Sequence, residues 1–317
     1  MKRLLFCVFF GLINSALPAK PQDPNNALAY LSSLSSSNQL PKLIQAANSL
    51  LTNDKLTTAD RSMVLTYLGH AYQQGGDFHT ATSYYEKALA LLDHDGLHPA
   101  EYATILGALA TLYAVTGQSD TAKHVLLRSV HLLEKTGDHH AELAIFWNDL
   151  AVIAADQHSN HEAHKSMARA LAELQQATNV SPDETEALTT TQARIAEIDH
   201  NFPAAIIGYQ HALALWIQSH GEHNPEGGML YVLLGGAYLE AGNIASAREA
   251  TTHGMNLLEA TSGRRSARYL AAELTYSKVL DASGSHDDAV KYRNEAKTVM
   301  SAETKRAQGE ISIAALH

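Results

Sequence analysis

Apolar and polar positions along the chain follow a helical rather than a strand period over most of its length. One template recurs six times: a small residue, an aromatic or aliphatic residue three later, a turn residue seven later and an alanine twelve later. The small residues are Gly69, Ala110, Ala151, Ala193, Gly235 and Ser277, separated by 41 or 42 residues. The turn residues are Gly76, Gly117, His158, His200, Gly242 and Gly284, and the alanines are Ala81, Ala122, Ala163, Ala205, Ala247 and Ala289. A constant step over six copies marks an internal repeat, in which each copy is one supersecondary unit stacked on the next.

Each repeat reads as a pair of antiparallel helices. The small residue lies where the two helices cross, because a larger side chain there would push them apart. The alanine twelve later is the facing contact on the second helix. The glycines between the helices supply a positive φ that ends the first helix. In the third and fourth repeats the turn must tolerate His158 and His200 instead. Tyr72, Tyr113 and Tyr238, with Tyr85 and Tyr209, fill the grooves between neighbouring hairpins. The predicted fold class is therefore all-α, a right-handed superhelical solenoid of antiparallel helix hairpins.

The residues Leu68-Gly69-x-x-Tyr72, followed by Ala81-x-x-x-Tyr85-x-x-Ala88, resemble the tetratricopeptide repeat. The usual period of that family is about 34 residues. The longer step here, with the connectors 88–103 and 212–226, is similar to the kinesin-light-chain-type variant. The added residues lengthen the helices by about two turns in total. The resemblance covers residues 60–300 as six repeats. Residues 20–59 are expected to form a divergent leading hairpin, with Leu40-Pro41 opening its second helix. Residues 301–317 are expected to be a separate tail, in which 309–316 alternate as an extended segment would.

The N-terminus changes the expected location. Lys2 and Arg3 precede a short apolar run from Leu4 to Ile13 and the small residues Ser15, Ala16 and Ala19. This is the pattern of a cleaved export signal over residues 1–19, and the run is too short to span a bilayer. A periplasmic or secreted protein is the expectation. Cys7 is the sole cysteine and lies within that segment, so the mature chain would have no thiol for a disulfide, a metal site or a nucleophile. The formal charge of −10 disfavours binding to nucleic acid. No second apolar run is long enough for a membrane span.

Catalytic signatures are absent: no phosphate-binding glycine loop, no nucleophile elbow and no H-E-x-x-H. The chain is read as not an enzyme, with no cofactor. Eighteen histidines invite a metal reading. His161 and His164 share a helix face at i and i+3, with His158 in the preceding turn. The competing reading is polar turn and surface residues, and no metal is assigned. Asn179-Val-Ser181 has the form of a glycosylation acceptor.

In an array of this kind the first helices of the hairpins line the concave side. Counting from the anchors gives its outward positions: His70, Gln73 and Gln74; Thr111; Asn148, Val152 and Asp156; Thr190, Arg194 and Glu197; Val232, Gly236 and Glu240; Lys278 and Asp281. The resemblance implies that this face holds protein or peptide partners. Self-association into an assembly module of the cell envelope is the alternative.

Overall fold

A computed structural model describes residues 27–314 apart from 37–38, 55, 94–97, 223 and 225–226. The expected export signal lies outside the described residues. Among the described residues there are fourteen helices and no strand.

Two compact units divide the chain, the first up to Glu184 and the second from Thr185. The first unit opens with α1 (Ala27–Ser36) and α2 (Leu40–Leu51), a leading hairpin in which Pro41 stands in the first turn of α2. Proline is tolerated there because that N–H has no intrahelical partner. Three repeat hairpins follow: α3 (Thr58–Gln74) with α4 (Phe78–Asp93), α5 (Pro99–Val115) with α6 (Ser119–Thr136), and α7 (His140–Asp156) with α8 (Asn160–Leu174). The helix α9 (Pro182–Ile198) starts at the end of the first unit. Ser181 and Glu184 cap it reciprocally: Ser181 Oγ accepts from the Glu184 N–H at 3.1 Å, and Glu184 Oε2 accepts from the Ser181 N–H at 2.8 Å. The Ser181 hydroxyl of the candidate glycosylation triplet is thus a capping group. The second unit holds most of α9 with α10 (Phe202–His220), α11 (Gly228–Glu240) with α12 (Ile244–Ser262), and α13 (Ala267–Ala282) with α14 (His286–Ala314).

The repeat template maps onto this architecture residue by residue. The six alanines at the facing position are buried. At the crossing, a Cβ added to Gly69 would lie 2.7 Å from the Tyr85 ring, and one added to Gly235 would lie 2.3 Å from Thr251 Oγ1. The anchors are small because the helices approach too closely for anything larger.

All six interhelical turns are the same. The residue seven after each anchor has a positive φ, including His158 at 57° and His200 at 59°. The residue after it donates its N–H to the carbonyl five back, as in Asp77 to Tyr72 at 2.9 Å and Asn201 to Ala196 at 2.8 Å. This closes the helix end by the Schellman arrangement. Histidine occupies the left-handed position in two repeats because that hydrogen-bond closure is retained there.

The C-terminus departs from expectation. The backbone of α14 remains helical through Ala314, so 309–314 is not extended. An extended segment needs a neighbouring strand to satisfy its backbone groups, whereas a helix satisfies them within itself.

Candidate functional site

The candidate surface is the face of the first helices within each compact unit. In the first unit this face is mostly closed. Thr111, Asn148 and Val152 are 2%, 6% and 7% exposed. Thr111 Oγ1 donates to the Gly107 carbonyl at 3.1 Å, inside its own helix. These residues do not form an open contact surface, and the reason is close approach between first helices: a Cβ on Gly107 of α5 would lie 2.5 Å from the Phe146 ring of α7. Val232 on α11 of the second unit is likewise buried.

The position four after the anchor has a different role from the one counted in the sequence. Gln73 Oε1 accepts the Tyr85 hydroxyl proton at 2.8 Å, and Glu197 Oε2 accepts that of Tyr209 at 3.0 Å. Asp281 is ion-paired with Arg293 and receives His286 Nδ1 at 3.3 Å. In each case the partner stands twelve residues on, on the second helix of the same hairpin. Gln73, Glu197 and Asp281 therefore tie hairpins shut. A signal for this was present in the sequence: Tyr85, Tyr209 and Arg293 share one repeat position.

His70 is half-buried, and the leading hairpin covers it. Its Nδ1 lies 3.1 Å from Ser35 Oγ on α1 and its Nε2 3.2 Å from Gln74 Nε2. Burial holds its imidazole below the ordinary value of 6.5. Thr190 donates to Glu186 Oε1 at 2.7 Å. Gln74, Glu240 and Lys278 are exposed, and Asp156, Arg194 and Gly236 are half-exposed. What faces solvent is thus a sparse, mixed-charge set.

The histidine cluster does not converge. His158, His161 and His164 are each exposed. Among the described residues no three His, Cys, Asp or Glu side chains lie together as metal ligands would. No helix among them is long and apolar enough to cross a membrane.

Among the buried carboxyls is one in the first unit's third repeat hairpin that the repeat count had not flagged. Asp149, two residues before the third anchor, is buried within α7. Burial pushes its carboxyl from 3.8 up to about 8, so it is held neutral. The neighbouring Asn148 has its Oδ1 buried with no hydrogen-bond partner.

Family models described as tetratricopeptide repeat match residues 65–91 and 184–260. The chain carries tetratricopeptide repeats in these segments. The matched segments coincide with the first repeat hairpin and with the run from α9 to α12. Among solved structures, the repeat protein is similar to a chain of the APC/C hetero-tetramer Cut9-Hcn1, with a TM-score of 0.66, 16% identity and 88% of this chain covered. It spans about half of that chain, 47%. It is also similar to the apo form of the quorum sensor NprR from B. thuringiensis, with a TM-score of 0.60 and 10% identity, covering 87% of both chains. A third similarity is to PilW, a type IV pilus biogenesis factor, with a TM-score of 0.52 and 17% identity, covering 75% of this chain and 92% of that one. At these identities the likeness is one of fold. No curated protein matches the chain in sequence. The repeat family is generally a non-catalytic protein-interaction scaffold.

Proposed function

We propose that this is an exported tetratricopeptide scaffold that holds protein or peptide partners on the first-helix face of its hairpins. The observation that supports this most is the division of labour within that face. Its buried and internally tied positions make the framework, while Gln74 in the first unit and Glu240 and Lys278 in the second are exposed, with Asp156 and Arg194 half-exposed. Interface residues of both charge signs on rigid helices suit specific polar recognition more than a bulk electrostatic attraction. Export rests on Lys2, Arg3 and the apolar run after them.

A photo-crosslinking amino acid at Arg194 or Lys278 tests the surface. The control position is Ile207, on the second helix α10 and 67% exposed. Partner chains captured from the cell envelope at Arg194 and Lys278 but not at Ile207 are expected. Capture at Ile207 alone would overturn the assignment of the face. Export is tested separately by determining the N-terminus of the envelope-fractionated protein: retention of Met1 on all of it would overturn that part of the reading.

A further inference from the structure

Two positions of the repeat meet within a hairpin: the residue four before the anchor, on the first helix, and the residue eighteen after it, on the second. In the third repeat they are Trp147 and Arg169, with the guanidinium 5.3 Å from the ring centroid. In the fifth they are Tyr231 and His253, ring centroids 4.3 Å apart. Both pairs are attractive or neutral. In the sixth repeat the same two positions are Glu273 on α13 and Glu295 on α14, two carboxyls. A like-charged pair at a packing position opposes closure of the hairpin.

The surroundings relieve it only in part, through Arg264. Glu273 is 4% exposed, and its Oε2 is buried with no hydrogen-bond partner. The cation facing it is Arg264, in the connector from α12, but that guanidinium is committed to Glu259 through Nε at 2.8 Å and Nη2 at 3.2 Å. The other titratable groups at the site are phenols: Tyr269 and Tyr276 on α13, and Tyr292 on α14, whose ring meets that of Tyr276 edge-on at 5.2 Å. None of them supplies a positive charge.

We propose that the α13–α14 hairpin is a proton-operated latch, closed when the buried Glu273 carboxyl holds a proton and loosened when it is charged opposite Glu295. The direction follows from the environment. Burial first, and Glu295 second, push the Glu273 carboxyl from 4.5 up to about 7. When α14 swings away, Glu273 regains water and its ordinary value. Closure therefore takes up a proton between about pH 4.5 and 7. The hairpin is held most firmly below that window, weakens as pH rises through it, and changes no further above about 7. The Asp281–Arg293 tie near the turn keeps its charge throughout, since His286 and Arg293 hold the Asp281 carboxyl below its ordinary value. Opening is thus hinged at the α13–α14 turn and releases the Glu273 end. This makes the last hairpin of the array, and any partner seated against it, responsive to the pH of the compartment.

The test is hydrogen exchange of the full chain from pH 5 to 8, expressed as protection relative to the intrinsic exchange rate at each pH, with α12 as internal reference. Protection of α14 is expected to fall close to tenfold per pH unit up to about pH 7 and then level off, while α12 changes little. Glu273→Gln is expected to abolish that slope and to leave α14 closed at pH 8. Glu295→Gln, at an exposed site, is expected to move the end of the slope to lower pH. A wild-type α14 whose protection does not vary relative to α12, or a Glu273→Gln chain that keeps the wild-type slope, would overturn the latch. An unchanged slope in Glu295→Gln would overturn the pairing with Glu295.

Discussion

Replacing Asp149 by asparagine should stabilise the first unit at neutral pH and flatten its response to pH. The carboxyl is buried in α7 and ionises only near pH 8 in the folded chain, against 3.8 when exposed. Unfolding therefore releases a proton at every pH between those values. The unfolded state gains about 1.4 kcal/mol on the folded one for each unit that the pH rises above 3.8, and at pH 7 the accumulated loss is on the order of 4 kcal/mol. This is a large share of the roughly 5–15 kcal/mol typical of a whole domain. The amide is of nearly the same shape and carries no charge. It must still be buried, and an unsatisfied amide costs about 1–3 kcal/mol, so the net gain at pH 7 is about 1–3 kcal/mol. The sign is definite: between about pH 4 and 8 the wild type loses stability relative to the variant as pH rises. Urea unfolding followed by far-UV circular dichroism at pH 5, 6, 7 and 8 reads the difference between the two chains. A difference that is constant across that range would refute the reasoning, because a mere packing change has no pH dependence.

Three further outcomes follow from the repeat geometry. His158→Gly and His200→Gly, at left-handed turn positions with φ of 57° and 59°, should each raise thermal stability by about 1 kcal/mol, read as an increase in melting temperature. Gly235→Ala should cost about 1–3 kcal/mol, because the new methyl group meets Thr251 Oγ1 at 2.3 Å and backbone atoms of Thr251 and Ala247 at 3.0 and 3.1 Å; an unchanged denaturation midpoint would contradict the helix crossing at that residue. Tyr209→Phe should cost about 1–2 kcal/mol by removing the 3.0 Å hydrogen bond to Glu197, while Glu197→Gln, which keeps an acceptor, should cost less; equal losses would argue against the tie.

The sequence by itself determined the repeat. Its step, the small residues at the crossings, the facing alanines and the turn positions can all be counted because each is dictated by local geometry that recurs with the chain. A helix pair crossing at one spacing needs a small residue at one position, and a Schellman turn needs a left-handed residue at another. Even His158 and His200 were legible as turn residues, since position outweighed identity. What the sequence could not give was the fate of side chains that depend on how close neighbouring helices come. Thr111, Asn148, Val152 and Val232 are polar or modest in size and count as outward, yet they are buried because neighbouring helices pack closely over them, as Gly254, Met255 and Leu258 of α12 do over Val232. Gln73, Glu197 and Asp281 count as a contact surface, yet Tyr85, Tyr209 and Arg293 claim them from the second helix. The charge state of Asp149 and the opposition of Glu273 and Glu295 belong to the same class. Periodicity fixes which face a residue occupies. Only the distance between faces decides whether that residue meets water, a partner helix or a like charge.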